Sequence, residues 1–153
     1  MESDVNMCKP DCAVECFNNG FNCAQAVFST YCGQLGLDKT TALKVAGGFG
    51  GGMGYIGETC GAVTGAFMLI GLKHGKIHSD DNNAKERTYA LIKEFTKQFK
   101  DINGSVKCTE LLGYDMSTPE GLKAAREANL WSTVCAKLVR DSAQIVEGLL
   151  DLK

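Results

Sequence analysis

The sequence predicts an all-α fold, a single-domain helical bundle with a glycine-rich loop before its central helix. Apolar residues recur at helical spacing along most of the 153-residue chain, and no window alternates apolar and polar residues long enough to predict a strand. The chain has only two prolines and is 44% hydrophobic, which suffices for one core. Without an internal repeat or linker, residues 1–153 are predicted to form one domain, with 1–11 as a loose N-terminal segment.

The N-terminal half contains helices with recognisable starts. A short helix is predicted over residues 11–18, and Asn22 is placed to cap the next one. Asp38 is placed to cap a third helix in the same way. Residues 58–74 are strongly apolar and are predicted to form the central helix of the bundle.

The C-terminal half continues the helical pattern. A long amphipathic helix is predicted from a cap at Ser79 or Asp80 to about Phe99. Thr118 precedes a proline and is predicted to cap a further helix, because proline is favoured at the first helical position. The last helix is predicted over about residues 130–150.

Composition excludes several classes of protein. The chain has 16 basic and 18 acidic residues, so it lacks the basic excess of a nucleic-acid binder. Its opening segment has no signal-peptide pattern and no apolar run reaches 18 residues, so we expect a cytoplasmic protein without membrane insertion. In a reducing compartment, the eight cysteines favour metal ligation or thiol redox chemistry over structural disulfides.

Glycine is concentrated in GGFGGGMGYIG, residues 47–57, which is predicted to be a loop with unusual backbone angles. One interpretation is mechanical, a tight crossing between two buried helices. The other is chemical, because consecutive amides in such a loop form an anion-binding concavity. The candidate cofactor-binding residues are Gly50, Gly51, Gly52, Gly54 and Gly57. A dinucleotide site is not expected, because no strand precedes the loop.

Cys60 follows the glycine loop and is predicted to lie in the first turn of the central helix. A helix N-terminus stabilises a thiolate and lowers the pKa of the thiol. A thiolate is both the reactive nucleophile and the form that binds metals. Cys60 is therefore the candidate catalytic residue.

Four stretches of the sequence are characteristic in combination. They are NCAQAV at 22–27, residues 48–71 (the glycine-rich segment followed by CGAVTG at 60–65), Cys108 before LLGYD, and VCAKLV around Cys135. Over about residues 20–150 the chain resembles the C_GCAxxG_C_C family of redox-active proteins. The central segment reads Cys-Gly-Ala here, where the family name has Gly-Cys-Ala. The resemblance implies a redox function and marks Cys23, Cys60, Cys108 and Cys135 as the family's four cysteines. A similar domain accompanies an iron–sulfur centre in a multihaem cytochrome.

These four cysteines are 37, 48 and 27 positions apart, so they form a site only if separate helices bring them together. Four thiolates suit an iron–sulfur cluster or zinc. The leading prediction is one-electron transfer through an iron–sulfur centre, with loop amides stabilising negative charge.

Two alternatives stay open. One is a thiol–disulfide oxidoreductase in which Cys60 attacks and another of the four cysteines resolves. The other is an accessory or binding protein with zinc or no metal. Covalent haem is not expected, because the chain has no C-x-x-C-H. The expected partner is a redox protein, and a homodimer is a candidate assembly. Four cysteines lie outside the pattern and receive no role: Cys8, Cys12, Cys16 and Cys32.

Overall fold

The computed structural model describes residues 8–153, which fold almost entirely into helices and short turns. The helices are α1 (Lys9–Asn18), α2 (Cys23–Tyr31), α3 (Lys39–Val45), α4 (Gly61–His74), α5 (Asn82–Asn103), α6 (Cys108–Leu112), α7 (Pro119–Glu127) and α8 (Ala136–Leu149). Extended pairing in the described part of the chain is limited to one bridge, between Thr59 and Lys107. The predicted all-α fold is confirmed.

Helix α4 occupies the centre of the bundle, where it contacts α2, α5 and α8. Its buried residues lie on several sides, which explains why the sequence of α4 is apolar without a polar face. The α2 backbone comes very close to it, because a Cβ atom added at Gly65 would lie 2.7 Å from the carbonyl oxygen of Ala24. Over residues 8–153, no helix combines the length and the apolar character that crossing a membrane requires.

The predicted caps at Asn22, Asp38 and Thr118 are confirmed. Each side chain accepts a hydrogen bond from a backbone N–H in the first turn of its helix. The cap of α5 is Asp81, whose side chain accepts from the N–H of Ala84, so the prediction of Ser79 or Asp80 is wrong. Helix α5 also continues to Asn103, four residues beyond the predicted end.

The N-terminal helix begins earlier than predicted. Helix α1 starts at Lys9, with Pro10 in its first turn, where a missing N–H costs no helical hydrogen bond. The predicted loose segment therefore does not extend to residue 11. Residues 1–7, which make up the rest of that prediction, lie outside the described residues.

Candidate thiol site

The structure brings the four predicted cysteines to one cavity. Cys23, Cys60, Cys108 and Cys135 all line a cavity of about 570 Å³. Each is buried, with between 4% and 9% of its surface exposed. Their thiols are close enough to affect one another's ionisation, since the other three cysteines all raise the pKa of Cys23. The structure thus places four cysteines from distant segments at one cavity, while the role of their thiols as ligands stays a prediction.

Cys23 is positioned by the cap of α2. It is the first residue of the helix, directly after Asn22. The Asn22 side chain accepts from the Gln25 N–H, and the Gln25 side chain accepts from the Asn22 N–H, which fixes the start of the helix. The same Asn22 amide donates to the carbonyl oxygens of Ala46 and Gly47. Asn22 thus fastens the Cys23 turn to the glycine loop.

Cys60 and Cys108 are held together by backbone hydrogen bonds. The Cys60 N–H donates to the carbonyl oxygen of Val106 at 2.7 Å, and the Cys108 N–H donates to that of Glu58 at 2.6 Å. Because the segment around Cys60 is extended for this pairing, the helix begins only at Gly61. Cys60 is therefore the residue before the first turn of α4, and its predicted place inside that turn is wrong.

Cys135 lies at the end of a π-helical turn, Trp131–Cys135, which precedes α8. The N–H of Ala136 closes this turn on the carbonyl oxygen of Trp131. Such turns carry one extra residue and are frequent at functional sites. Here the turn places both Trp131 and Cys135 at the cavity.

The glycine loop contains a left-handed turn. Five consecutive residues have positive φ, between 61° and 69°: Gly51, Gly52, Met53, Gly54 and Tyr55. The predicted unusual backbone angles are confirmed. Two of the five are not glycine, and each costs about 1–2 kcal/mol in this conformation. At Gly52 glycine is also required by space, since an added Cβ would lie 2.7 Å from the Cβ of Cys108.

Only part of the loop offers free amides. The N–H of Gly54 donates to Gly50 and the N–H of Gly57 donates to Gly51. Gly57 also does not line the cavity, so the prediction that amides of Gly54 and Gly57 face a bound anion is wrong. Within the described residues, no backbone or side-chain acceptor takes the N–H groups of Gly50, Gly51 and Gly52, and all three residues line the cavity.

The predicted lowering of the Cys60 pKa is wrong. Burial raises the pKa of the Cys60 thiol to about 12. The backbone N–H groups of Ala62 and Val63 act in the predicted direction, but they do not offset the loss of water. Burial likewise raises the pKa of Cys108, to about 11.

The Cys23 and Cys135 thiols lie near enough to each other to affect each other's ionisation. The hydrogen bond between them raises the pKa of Cys23 well above its usual range, and burial acts in the same direction. The same hydrogen bond lowers the pKa of Cys135. The thiol of this site that ionises most readily is therefore expected within the Cys23–Cys135 pair and not at Cys60. Sequence reasoning missed this, because the pairing joins residues 112 positions apart.

The other cysteines do not line the cavity. The Cys8 thiol donates to the Asp11 carboxylate, and the Cys32 thiol donates to the carbonyl oxygen of Ser29. The Cys16 thiol contacts the hydroxyl of Ser29. The cavity also has no charged lining residue, and four aromatic side chains contribute to it: Phe17, Phe21, Tyr55 and Trp131.

No three His, Cys, Asp or Glu side chains in residues 8–153 are arranged to hold a single metal ion. The four thiols therefore share a cavity without surrounding one common point closely. The fold and the site together define the class: an all-helical protein with a buried cavity lined by four thiols.

A family model described as "Putative redox-active protein (C_GCAxxG_C_C)" matches residues 21–149, and the chain belongs to this family. A relative from Archaeoglobus fulgidus, described as an uncharacterized protein, is 30% identical over 106 residues, which cover 65% of this chain and 70% of the relative. No solved structure matches the chain with significance.

Proposed function

We propose that the chain is an electron-transfer protein whose centre is an iron–sulfur cluster bound by Cys23, Cys60, Cys108 and Cys135. One observation carries the proposal: four buried thiols and three unengaged backbone amides line the same uncharged cavity. The family description supports a redox role in general terms.

The donor set suits such a cluster. Four cysteine thiolates are the usual ligands of iron–sulfur clusters, and the cavity offers four thiols and no carboxylate or imidazole. A zinc site would need four donors about 2.3 Å from one ion, which the described side chains do not offer. A cluster distributes its thiolates over several iron atoms, so the ligands do not have to meet at one point.

The protein's own groups have distinct tasks in this proposal. The thiols give up their protons on binding, since the thiolate is the ligand form. The N–H group of Gly52, which lies beside the Cys108 side chain, would donate to the negatively charged sulfur atoms of a bound cluster and so tune its reduction potential. Burial keeps water away from the same sulfur atoms. A bound cluster would supply reversible one-electron exchange.

The test is anaerobic purification, or reconstitution with iron and sulfide, followed by metal and sulfide analysis and a visible spectrum. We expect a brown protein with bound iron and sulfide. A protein that stays colourless and binds neither after reconstitution would contradict the proposal.

The position of Cys23 and Cys135 at one cavity, where each affects the ionisation of the other, favours one second candidate, a thiol–disulfide redox protein. In this reaction both thiols are oxidised to a Cys23–Cys135 disulfide while a partner disulfide is reduced to two thiols, so electrons and protons balance. We expect titration of the metal-free protein in a thiol redox buffer to form this disulfide first, as read by peptide mass mapping. A first disulfide through Cys60 would refute the assignment of this pair.

The proposed setting is the reducing cytoplasm, where the cysteines stay reduced and available for ligation. The proposed partner is a redox protein that exchanges electrons with the thiol centre. Gel filtration with light scattering tests whether the chain acts alone or as a homodimer.

A further inference from the structure

The residues at the opening of the thiol cavity differ chemically from the four cysteines in its interior. The four thiols are at most 9% exposed, whereas Phe21 and Tyr55, which line the same cavity, are 38% and 47% exposed. Phe17 and Trp131 are half-buried. The thiols therefore form the inner part of the cavity, and aromatic rings surround its opening.

This outer part is suited to a flat molecule without charge. Aromatic rings bind other rings by offset or edge-to-face stacking. No Lys, Arg, His, Asp or Glu lines the cavity, so a phosphate-bearing or otherwise charged ligand would lose its water without gaining a charged partner. The volume, about 570 Å³, falls within the range of about 300–1,000 Å³ that is usual for small-molecule sites.

The glycine loop adds shape and hydrogen-bond donors to this site. Gly48 and Gly54 line the cavity and have no side chain to narrow it. The unengaged N–H groups of Gly50 and Gly51 are donors on the same wall, and a carbonyl oxygen is an acceptor that fits them. A quinone meets these requirements, because it is a flat, uncharged ring with carbonyl oxygens.

We infer that the outer part of the cavity, lined by Phe17, Phe21, Tyr55 and Trp131, binds a neutral redox-active ring of the quinone class. The inference rests on the proposed function, because it names the molecule that would approach the thiol centre. It concerns binding alone and depends on aromatic and glycine residues that the proposed ligand set does not use.

The probe is duroquinone, whose fully substituted ring does not add covalently to thiols. Trp131 is the only tryptophan of the chain and lines the cavity, so its fluorescence reports binding there. We expect saturable quenching by duroquinone. Anthraquinone-2-sulfonate, which carries a charge, should bind at least about tenfold more weakly.

Two matched variants locate the site. Phe21→Ala should weaken duroquinone binding about tenfold, because it removes an aromatic contact at the opening. Tyr89→Ala removes an exposed ring on α5, outside the cavity, and should leave binding unchanged. Quenching that does not saturate, equal losses in both variants, or equal affinity for the sulfonate would overturn the inference.

The proposed cluster and the proposed quinone site can be contradicted independently of each other. A protein that binds no iron or sulfide but shows saturable quenching leaves the quinone site standing and contradicts the proposed cluster. A brown protein with bound iron and sulfide that duroquinone does not quench contradicts the quinone site alone.

Discussion

A Cys60→Ser variant is expected to lose its bound iron and sulfide and with them its visible absorption. Cys60 is buried at the cavity and is tied by its backbone to the segment that carries Cys108. Replacing a ligand should weaken binding more than changes around ligands do, which already cost about 10–100-fold. Iron and sulfide are measured per chain after anaerobic reconstitution, beside the parent protein.

The matched control is Cys8→Ser. Cys8 is exposed, lies outside the cavity, and hydrogen-bonds to Asp11 through a thiol that a serine hydroxyl can replace. This variant should bind as much iron and sulfide as the parent protein. Retention of a full cluster by Cys60→Ser, with helical circular dichroism unchanged, would remove Cys60 from the ligand set.

A Gly52→Ala variant is expected to lower the stability of the fold strongly. The added Cβ would lie 2.7 Å from both the Cβ of Cys108 and the N of Glu58, in a residue whose φ is +69°. The left-handed conformation costs about 1–2 kcal/mol, and overpacking adds about 1–3 kcal/mol. We expect the free energy of unfolding, measured with urea, to fall by about 2–5 kcal/mol.

Gly54→Ala separates these two causes. Gly54 has nearly the same backbone conformation, with φ of +61°, but the nearest atom to an added Cβ is 3.8 Å away. The variant should lose only the conformational part, about 1–2 kcal/mol. Equal losses in the two variants would show that the contact between Gly52 and Cys108 is not tight.

The helices were predictable because their signals are local. Asn22, Asp38 and Thr118 act through a hydrogen bond three residues away, which the sequence displays directly. The start of α4 was not predictable in this way. It is delayed to Gly61 because the preceding residues pair with the segment around Val106, and nothing in the local sequence indicates that pairing.

The candidate site was also predictable only in part. The convergence of the four cysteines followed from the family resemblance, and the unusual glycine angles followed from composition. The directions in which the thiol pKa values shift did not, since they depend on burial and on the interaction between Cys23 and Cys135. Trp131 was not predicted to line the site, but its spacing could have indicated it. A residue four positions before Cys135 lies near Cys135 on a helix.

The wide separation of the four thiols along the chain has a consequence for biosynthesis. Cys60 and Cys108 meet only when residues 57–60 pair with 106–109, and Cys135 joins them only when the turn before α8 has formed. A nascent chain that ends before residue 135 thus contains no complete centre. For the proposed cluster, we therefore expect insertion after synthesis and folding of the bundle, with the aromatic opening of the cavity as the route of entry.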